Sequence, residues 1–320
     1  MRIASLLPAA TEWVDALGAT HALVGRSHEC DHPEAVTSLP VLTAPTYPEK
    51  QTSRAIHEAV QKRVRDGLSL YRVDMAQLRA LSPDWVLTQA QCDVCAASVS
   101  DIEADLQAEA DADIRLFSMQ PATFKEVLDM VLRLGRALKR AEAAMQWIAR
   151  HERQLKQLHS AIGLERRTDP DTLPTVACIE WMDPLMVAGH WTPDVVAHGG
   201  GQPVLAEAGA ASRRITWEAL ANADPDVIAV MPCGFSVEDT ARDWQTLASH
   251  PTWQSLRAVQ NNRVAVFDGN AYFNRPGPRL YRAAALIAYA LYPDRVEGCI
   301  APVQPWEMQR GSLRSVSASA

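Results

Sequence analysis

Long apolar runs are missing from this sequence: nowhere do enough hydrophobic residues follow one another to form a membrane-spanning helix, which argues against insertion into a bilayer. The N-terminus, MRIASLLPAATEW, has one arginine and a short apolar stretch before Glu12. It lacks the basic, apolar and cleavage-site order of a secretory leader. A cytoplasmic location is therefore expected, or a periplasmic one if an export signal has been removed. Cysteine is scarce, with six in 320 residues, too few to staple a chain long enough to build its own core. A basic excess is missing too: the net charge of −7 argues against a nucleic-acid partner, whose phosphates favour a cationic footprint. Familiar catalytic signatures are absent as well: there is no G-x-S-x-G elbow, H-E-x-x-H pair, P-loop or dinucleotide fingerprint. His198-Gly199-Gly200-Gly201 is out of register for G-x-G-x-x-G and is better read as a helix end followed by a close turn. A non-enzymatic protein is expected.

What is present is the composition of an ordinary globular chain, 48% hydrophobic and 22% charged. Its length points to more than one domain. The clearest organising signal is a repeat. Val73 to Leu87 and Ile215 to Ala229 share one layout: a capping Asp74 or Thr216, a short helix, a Pro-Asp turn at Pro83-Asp84 or Pro225-Asp226, and a buried strand. The copies lie 142 residues apart, 74 to 216. Between them, Thr123-Phe124-Lys125-Glu126 forms a T-x-x-E capping box, from which an apolar stripe runs to Ile162, with Gly163 and Pro170 as stop signals. Nearly forty residues of helix would measure roughly 55–60 Å. A single helix or two helices kinked near His151-Glu152 both fit. Strand and helix patterns alternate elsewhere, including helices over 100–108 and 203–208. The expected fold is therefore α/β, two similar lobes with mostly parallel sheets joined by a long central helix. The lobes span 1–120 and 164–307, the connector 121–163, and 308–320 form a disordered tail.

Parallel sheets bind ligands beyond the carboxyl ends of their strands. That rule selects Leu7 to Glu12, Ser27 to His32, Gln89 to Cys95, Glu180 to Pro184 with Gly189 to Trp191, Met231 to Phe235, and Asp268 to Arg279. These loops concentrate aromatic, thiol and imidazole groups. Trp181, Trp191, Tyr272 and Phe273 offer broad apolar faces to a large flat ligand, or pack in the core. Arg275 and Arg279 can reach carboxylate, amide or phosphate groups, or brace the loop through Asp268 or Glu180. His28, Cys30, Cys92 and Cys95 are types that ligate zinc or cobalt. A single C-x-x-C pair leaves a disulfide, a redox role and plain burial open.

Ser5-Leu6-Leu7-Pro8-Ala9-Ala10-Thr11-Glu12, the Asp268-Gly269-Asn270 strand end and the long mid-chain helix resemble the cobalamin-binding and iron-siderophore-binding proteins of ABC importers, the class with a helical backbone between two lobes. The resemblance spans about residues 1–298. His28-Glu29-Cys30-Asp31, Cys92-x-x-Cys95 and Asn270 to Arg279 are similar to its cobalamin-binding branch. It implies non-enzymatic binding of cobalamin or a related corrinoid in an interlobe cleft, for delivery to an ABC importer permease. Pro8, Ala9 and Thr11 would line one wall, and Trp181, Trp191 and Tyr272 the other. His28, Cys30, Cys92, Phe273 and Arg275 are further candidate contacts, and Cys30 or a nearby histidine a candidate cobalt ligand. Acidic residues dock such proteins on the importer; Glu12 and Glu207 are candidates. The alternatives are a metal-chelate or siderophore binder, a direct metal site at Cys30, Cys92, Cys95 and His28, and a thiol enzyme using Cys30 with His28.

Overall fold

The structure, a computed structural model, describes residues 1–47, 51–66, 68–89, 114–166 and 172–311. The chain forms two compact units. The first comprises Met1–Gln51, Ala55–Pro121 and Lys125–Ile148, and the second Thr52–Arg54, Ala122–Phe124 and Ala149–Ala320. The central helical stretch is thus shared between the units at Ile148 and Ala149, where a separate connector over 121–163 was expected.

In the first unit the strands are β1 (Ile3–Ser5), β2 (Leu23–Gly25), β3 (Thr43–Pro45), β4 (Tyr71–Val73), β5 (Trp85–Gln89) and β6 (Arg115–Met119). Four of them form a parallel sheet in the order β2-β1-β5-β6, and β3 and β4 make a separate antiparallel pair. Helix α1 (Pro8–Ala16) follows β1 directly; proline at its first position has no N–H to leave unsatisfied. Helix α2 covers Ser53–Arg65, and α3 covers Met75–Ala80. Leu78 of α3 packs with Ala4, Leu42 and Val86 in a core joined by Leu6, Val73, Met75, Leu81, Ile114 and Leu116. The segment expected as a helix over 100–108 lies outside the described residues, as do Cys92 and Cys95.

The helical stretch consists of α4 (Phe124–Ala137) and α5 (Ala141–Ile162), with its break at 138–140 rather than near His151-Glu152. Arg140 N–H donates to the Gly135 carbonyl at 2.6 Å, Lys139 N–H donates to Arg136 at 3.2 Å, and Lys139 has φ 55°. That is the double bond pattern of a Schellman stop. A lysine occupies the left-handed position where glycine or asparagine is usual, so the apolar stripe runs past the break. Gly135 was the available signal: a Cβ there would stand 2.7 Å from Ala144 Cβ and 3.1 Å from the Arg140 carbonyl oxygen. At the start of α5, Trp147 meets Trp13 of α1 edge-on, with ring centres 4.6 Å apart.

The second unit carries β7 (Thr175–Trp181), β8 (Met186–Val187), β9 (Gln202–Pro203), β10 (Arg213–Arg214), β11 (Val227–Val230), β12 (Val264–Phe267) and β13 (Met308–Arg310). Strands β7, β11 and β12 are parallel neighbours at its centre, β9 pairs parallel to β7, and β8, β10 and β13 add antiparallel edges in the order β10-β8-β7-β11-β12-β13. The sheet therefore continues past the expected boundary at 307, because Met308–Arg310 pair with β12 where a disordered tail was expected. No helix forms over 203–208: Gln202 and Pro203 are a short strand on β7, and Leu205 turns with φ 67°.

Its helices are α6 (Thr192–His198), α7 (Trp217–Ala223), α8 (Val237–Arg242), α9 (Gln245–Ala248), α10 (Pro251–Ser255), α11 (Arg257–Gln260), α12 (Gly269–Tyr272), α13 (Leu280–Leu291) and α14 (Pro293–Val296). The glycines after His198 end α6 as the sequence implies. Gly200 has φ 83°, and a Cβ there would stand 2.7 Å from Ile162 Cδ1. Glycine is thus needed both for conformation and for the close approach of α5.

Candidate functional site at the strand ends

In the first unit, the carboxyl ends of β1 and β2 meet in a web of small polar side chains. Thr11 Oγ1 donates to Ser5 Oγ at 2.8 Å and lies 3.0 Å from Cys30 Sγ. Thr43 Oγ1 donates to Ser27 Oγ at 3.0 Å, receives the His28 N–H at 3.1 Å and lies 2.6 Å from His28 Nδ1. Pro8, Ala9, Thr11 and Cys30 are buried, Cys30 to 2% exposure. A thiol so covered has no open approach for a substrate, which weighs against the thiol enzyme. His28 is half-buried, and its ring centre lies 5.7 Å from that of Tyr71, which lies 6.2 Å from that of Tyr47. This series His28, Tyr71 and Tyr47 was not apparent from the sequence. Tyr71 is brought to His28 by β4, whose partner strand β3 starts at Thr43, the residue bonded to His28.

In the second unit, Trp181 at the end of β7 is half-buried; its indole N–H reaches the Ser53 and Asp183 carbonyls, each at 3.1 Å. Phe235, in the loop after β11, meets it edge-on at 5.5 Å. The other aromatic candidates are core residues of the loops: Trp191 is 6% exposed, Tyr272 5% and Phe273 2%. Trp191 donates its indole N–H to the Phe273 carbonyl at 2.9 Å, and the Phe273 ring packs 5.1 Å from Phe267. Burial and a bond to the Glu307 carboxylate at 2.8 Å raise the Tyr272 phenol above its ordinary range. Arg275 is buried and donates to Asn270 Oδ1 at 3.0 Å, while the Arg279 guanidinium lies 5.3 Å from the Tyr272 ring centre. Both arginines thus help to shape the loop. Asp268 caps α12 through the Ala271 N–H at 2.7 Å, and a Cβ on Gly269 would stand 2.3 Å from the Pro232 carbonyl oxygen. The strand ends of β11 and β12 are therefore locked together by a position that only glycine fills.

Burial raises the Glu180 carboxyl pKa, partly offset by the Ser212 hydroxyl bonded to it. Cys178, buried within β7, has its thiol pushed up to about 12 by that burial and is inert at neutral pH. Among the described residues no group of three or more His, Cys, Asp or Glu side chains could hold a metal ion. The expected cluster of Cys30 and His28 with Cys92 and Cys95 falls partly outside those residues. Among them, too, no helix is long and apolar enough to cross a membrane. Of the acidic docking candidates, Glu12 is buried and Glu207 exposed.

Solved structures share this fold. A periplasmic heme binding protein from Pseudomonas aeruginosa matches with a TM-score of 0.69 and 19% identity over 98% of each chain. The periplasmic heme binding protein HutB of Vibrio cholerae matches at 0.67 and 19%, covering 92% of this chain and 99% of its own. The periplasmic vitamin B12 binding protein BtuF of Vibrio cholerae matches at 0.60 and 20%, covering 91% and 96%. No curated protein matches the chain in sequence. The family described as periplasmic binding protein matches residues 3–271, and its description gives the expected cytoplasmic location no support. With that match covering most of its length, the chain belongs to the periplasmic binding protein family, the non-enzymatic substrate-binding proteins of ABC importers.

Proposed function

We propose that the chain binds cobalamin or a related corrinoid and presents it, in the periplasm, to an ABC importer permease. The contacting side chains are those left open at the strand ends: His28 in the first unit, with Tyr71 and Tyr47 beside it, and Trp181 in the second, backed by Phe235, while Pro8, Ala9, Thr11 and Cys30 are buried within the loops that carry them. Trp191, Tyr272, Phe273 and Arg275 hold the loops of the second unit in shape. The observation that carries the choice of ligand is the chemistry of the strand ends: small hydroxyls of Thr11, Ser5, Thr43 and Ser27 beside the rings of His28, Tyr71 and Tyr47 in the first unit, and the half-buried indole of Trp181 in the second. A corrin ring edged with neutral carboxamides needs aromatic faces and small polar groups, the chemistry these loops offer. The resemblance of the Ser5 to Glu12 and Asn270 to Arg279 motifs to the cobalamin-binding branch supports the same ligand.

The test is titration of the purified chain with cyanocobalamin, followed by absorbance and tryptophan fluorescence, with hemin and a ferric siderophore in parallel. Saturable binding of cyanocobalamin in preference to the other two is expected. A folded chain that binds hemin or the siderophore and leaves cyanocobalamin free in solution overturns the choice of ligand.

A further inference from the structure

Trp306 was singled out by no motif, and it lies beyond the residues matched by the family, 3–271. It is nevertheless 57% exposed, a large apolar side chain left open to solvent. Its backbone is fixed: Asp268 N–H donates to the Glu307 carbonyl at 2.9 Å, and Phe267 is in register with Met308 in the β12-β13 pair. Trp306 therefore sits just beyond the carboxyl end of β12, on the edge of the sheet where parallel folds hold their ligands.

The neighbouring Glu307 is 4% exposed and takes an ion pair from Arg282, the Tyr272 hydroxyl at 2.8 Å and the Gln304 N–H at 2.8 Å. Arg282 also donates to the Ala301 and Pro302 carbonyls, at 2.8 and 2.9 Å. A desolvated ion pair adds little net stability but fixes geometry, here the course of residues 301–307. The indole lies 6.3 Å from the Tyr272 ring at an interplanar angle of 25°, so one of its faces is backed by an aromatic. A rigid, backed aromatic plate is the form of a recognition residue, because little rotamer entropy remains to be lost on binding. In strand order Trp181 ends β7, Phe235 follows β11, Tyr272 follows β12 and Trp306 precedes β13. Three strand steps of about 4.8 Å span roughly 14 Å, a width suited to a tetrapyrrole with its peripheral groups.

We infer that Trp306 is a ligand-contacting residue of the second unit, a stacking plate for one edge of the flat ligand supplied by the C-terminal segment. The inference rests on the proposed tetrapyrrole-binding function. Its test compares the wild type with Trp306→Ala and Trp306→Phe by titration with cyanocobalamin, with hemin as a second probe, and with thermal unfolding of each variant.

Loss of one aromatic stack corresponds to an affinity loss of about 3- to 10-fold. That loss is expected for Trp306→Ala, near-complete retention for Trp306→Phe, and an unchanged melting temperature for both. A wild type that binds while Trp306→Ala binds equally well overturns the role of Trp306 and leaves the proposed function standing. A loss of affinity accompanied by a matching fall in melting temperature makes Trp306 a packing residue and overturns the inference too. A wild type that binds neither probe overturns the proposed function, and the inference with it.

Discussion

The repeated unit at residues 73–87 and its counterpart at 215–229 are built alike to the level of single hydrogen bonds. Asp74 accepts from the Gln77 N–H at 2.9 Å, and Thr216 from Ala219 at 3.0 Å. Leu78 and Leu220 are the buried residues of the two helices. Ser82 and Asp224 end them with φ of 44° and 34°. Asp84 then receives the backbone N–H of Arg2 at 2.6 Å, and Asp226 that of Thr175 at 2.9 Å, so each aspartate pins the start of the neighbouring strand. In both units the strand that follows lies between two parallel partners.

The units part company at their periphery. Arg115 lies over the Trp85 ring at 4.5 Å in the first, whereas in the second Arg257 reaches Asp224 at 3.0 Å and Asp226 at 2.9 Å. The second sheet alone gains the β13 edge, with its tie through Glu307 and Arg282. A shared local code thus builds the centres of the sheets, and long-range additions make the units different.

The largest expected effect removes one such addition. Glu307→Ala strips a buried partner from Arg282 and an acceptor from Tyr272, at a cost of about 3–5 kcal/mol. Hydrogen exchange should show β13 and the second unit destabilised while β1 and β5 keep their protection; equal loss in both units would mean that they unfold as one.

Acid should act on the same unit. His151 is 2% exposed, and burial, followed by the nearby His198, lowers its pKa to about 4. Burial also lowers His159 and His198, whose rings stack with centres 5.4 Å apart; Glu165 and Asp194 partly oppose the shifts. Phe124 and Tyr281 face His151 as well. A histidine depressed in the folded state binds its proton first when unfolded. Stability is therefore full above about pH 6.5 and falls as pH drops toward 4, by roughly 3 kcal/mol for His151 alone. Denaturant midpoints measured between pH 7 and 4.5 should decline accordingly, and His151→Leu should flatten the decline. A decline of unchanged steepness in that variant would assign the acid sensitivity to other groups.

The caps carry the smallest effect. Asp74→Ala and Thr216→Ala should each cost about 1 kcal/mol. Chemical denaturation of the two variants would reveal unequal costs if the units use their repeats differently.

Much of the central frame was legible because its signals are local. The capping residues, the Pro-Asp turns and the apolar strands bracket β5 and β11 within a few residues, and a glycine run ends α6 where it should. What escaped is tertiary in origin. Lys139 takes a left-handed conformation that no lysine announces, and Met308-Gln309-Arg310 becomes a strand through β12 and an ion pair formed 25 residues away. At the candidate site, the sequence found the loops but could not sort their aromatics. Trp191, Tyr272 and Phe273 stand beside glycines and prolines as a binding residue would, yet their ring faces are taken by the loops' own packing. Tyr47, Tyr71 and Trp306 needed strand pairing to be brought into place.

Strand β13 has a consequence for how the chain can be cut. A fragment ending with the family match at residue 271 would lack the strand that covers β12. The exposed backbone of Val264–Phe267, four buried apolar residues, would then offer an open template for pairing with another chain. The span of the family match is therefore shorter than the folded unit, whose sheet is completed only by residues 308–310.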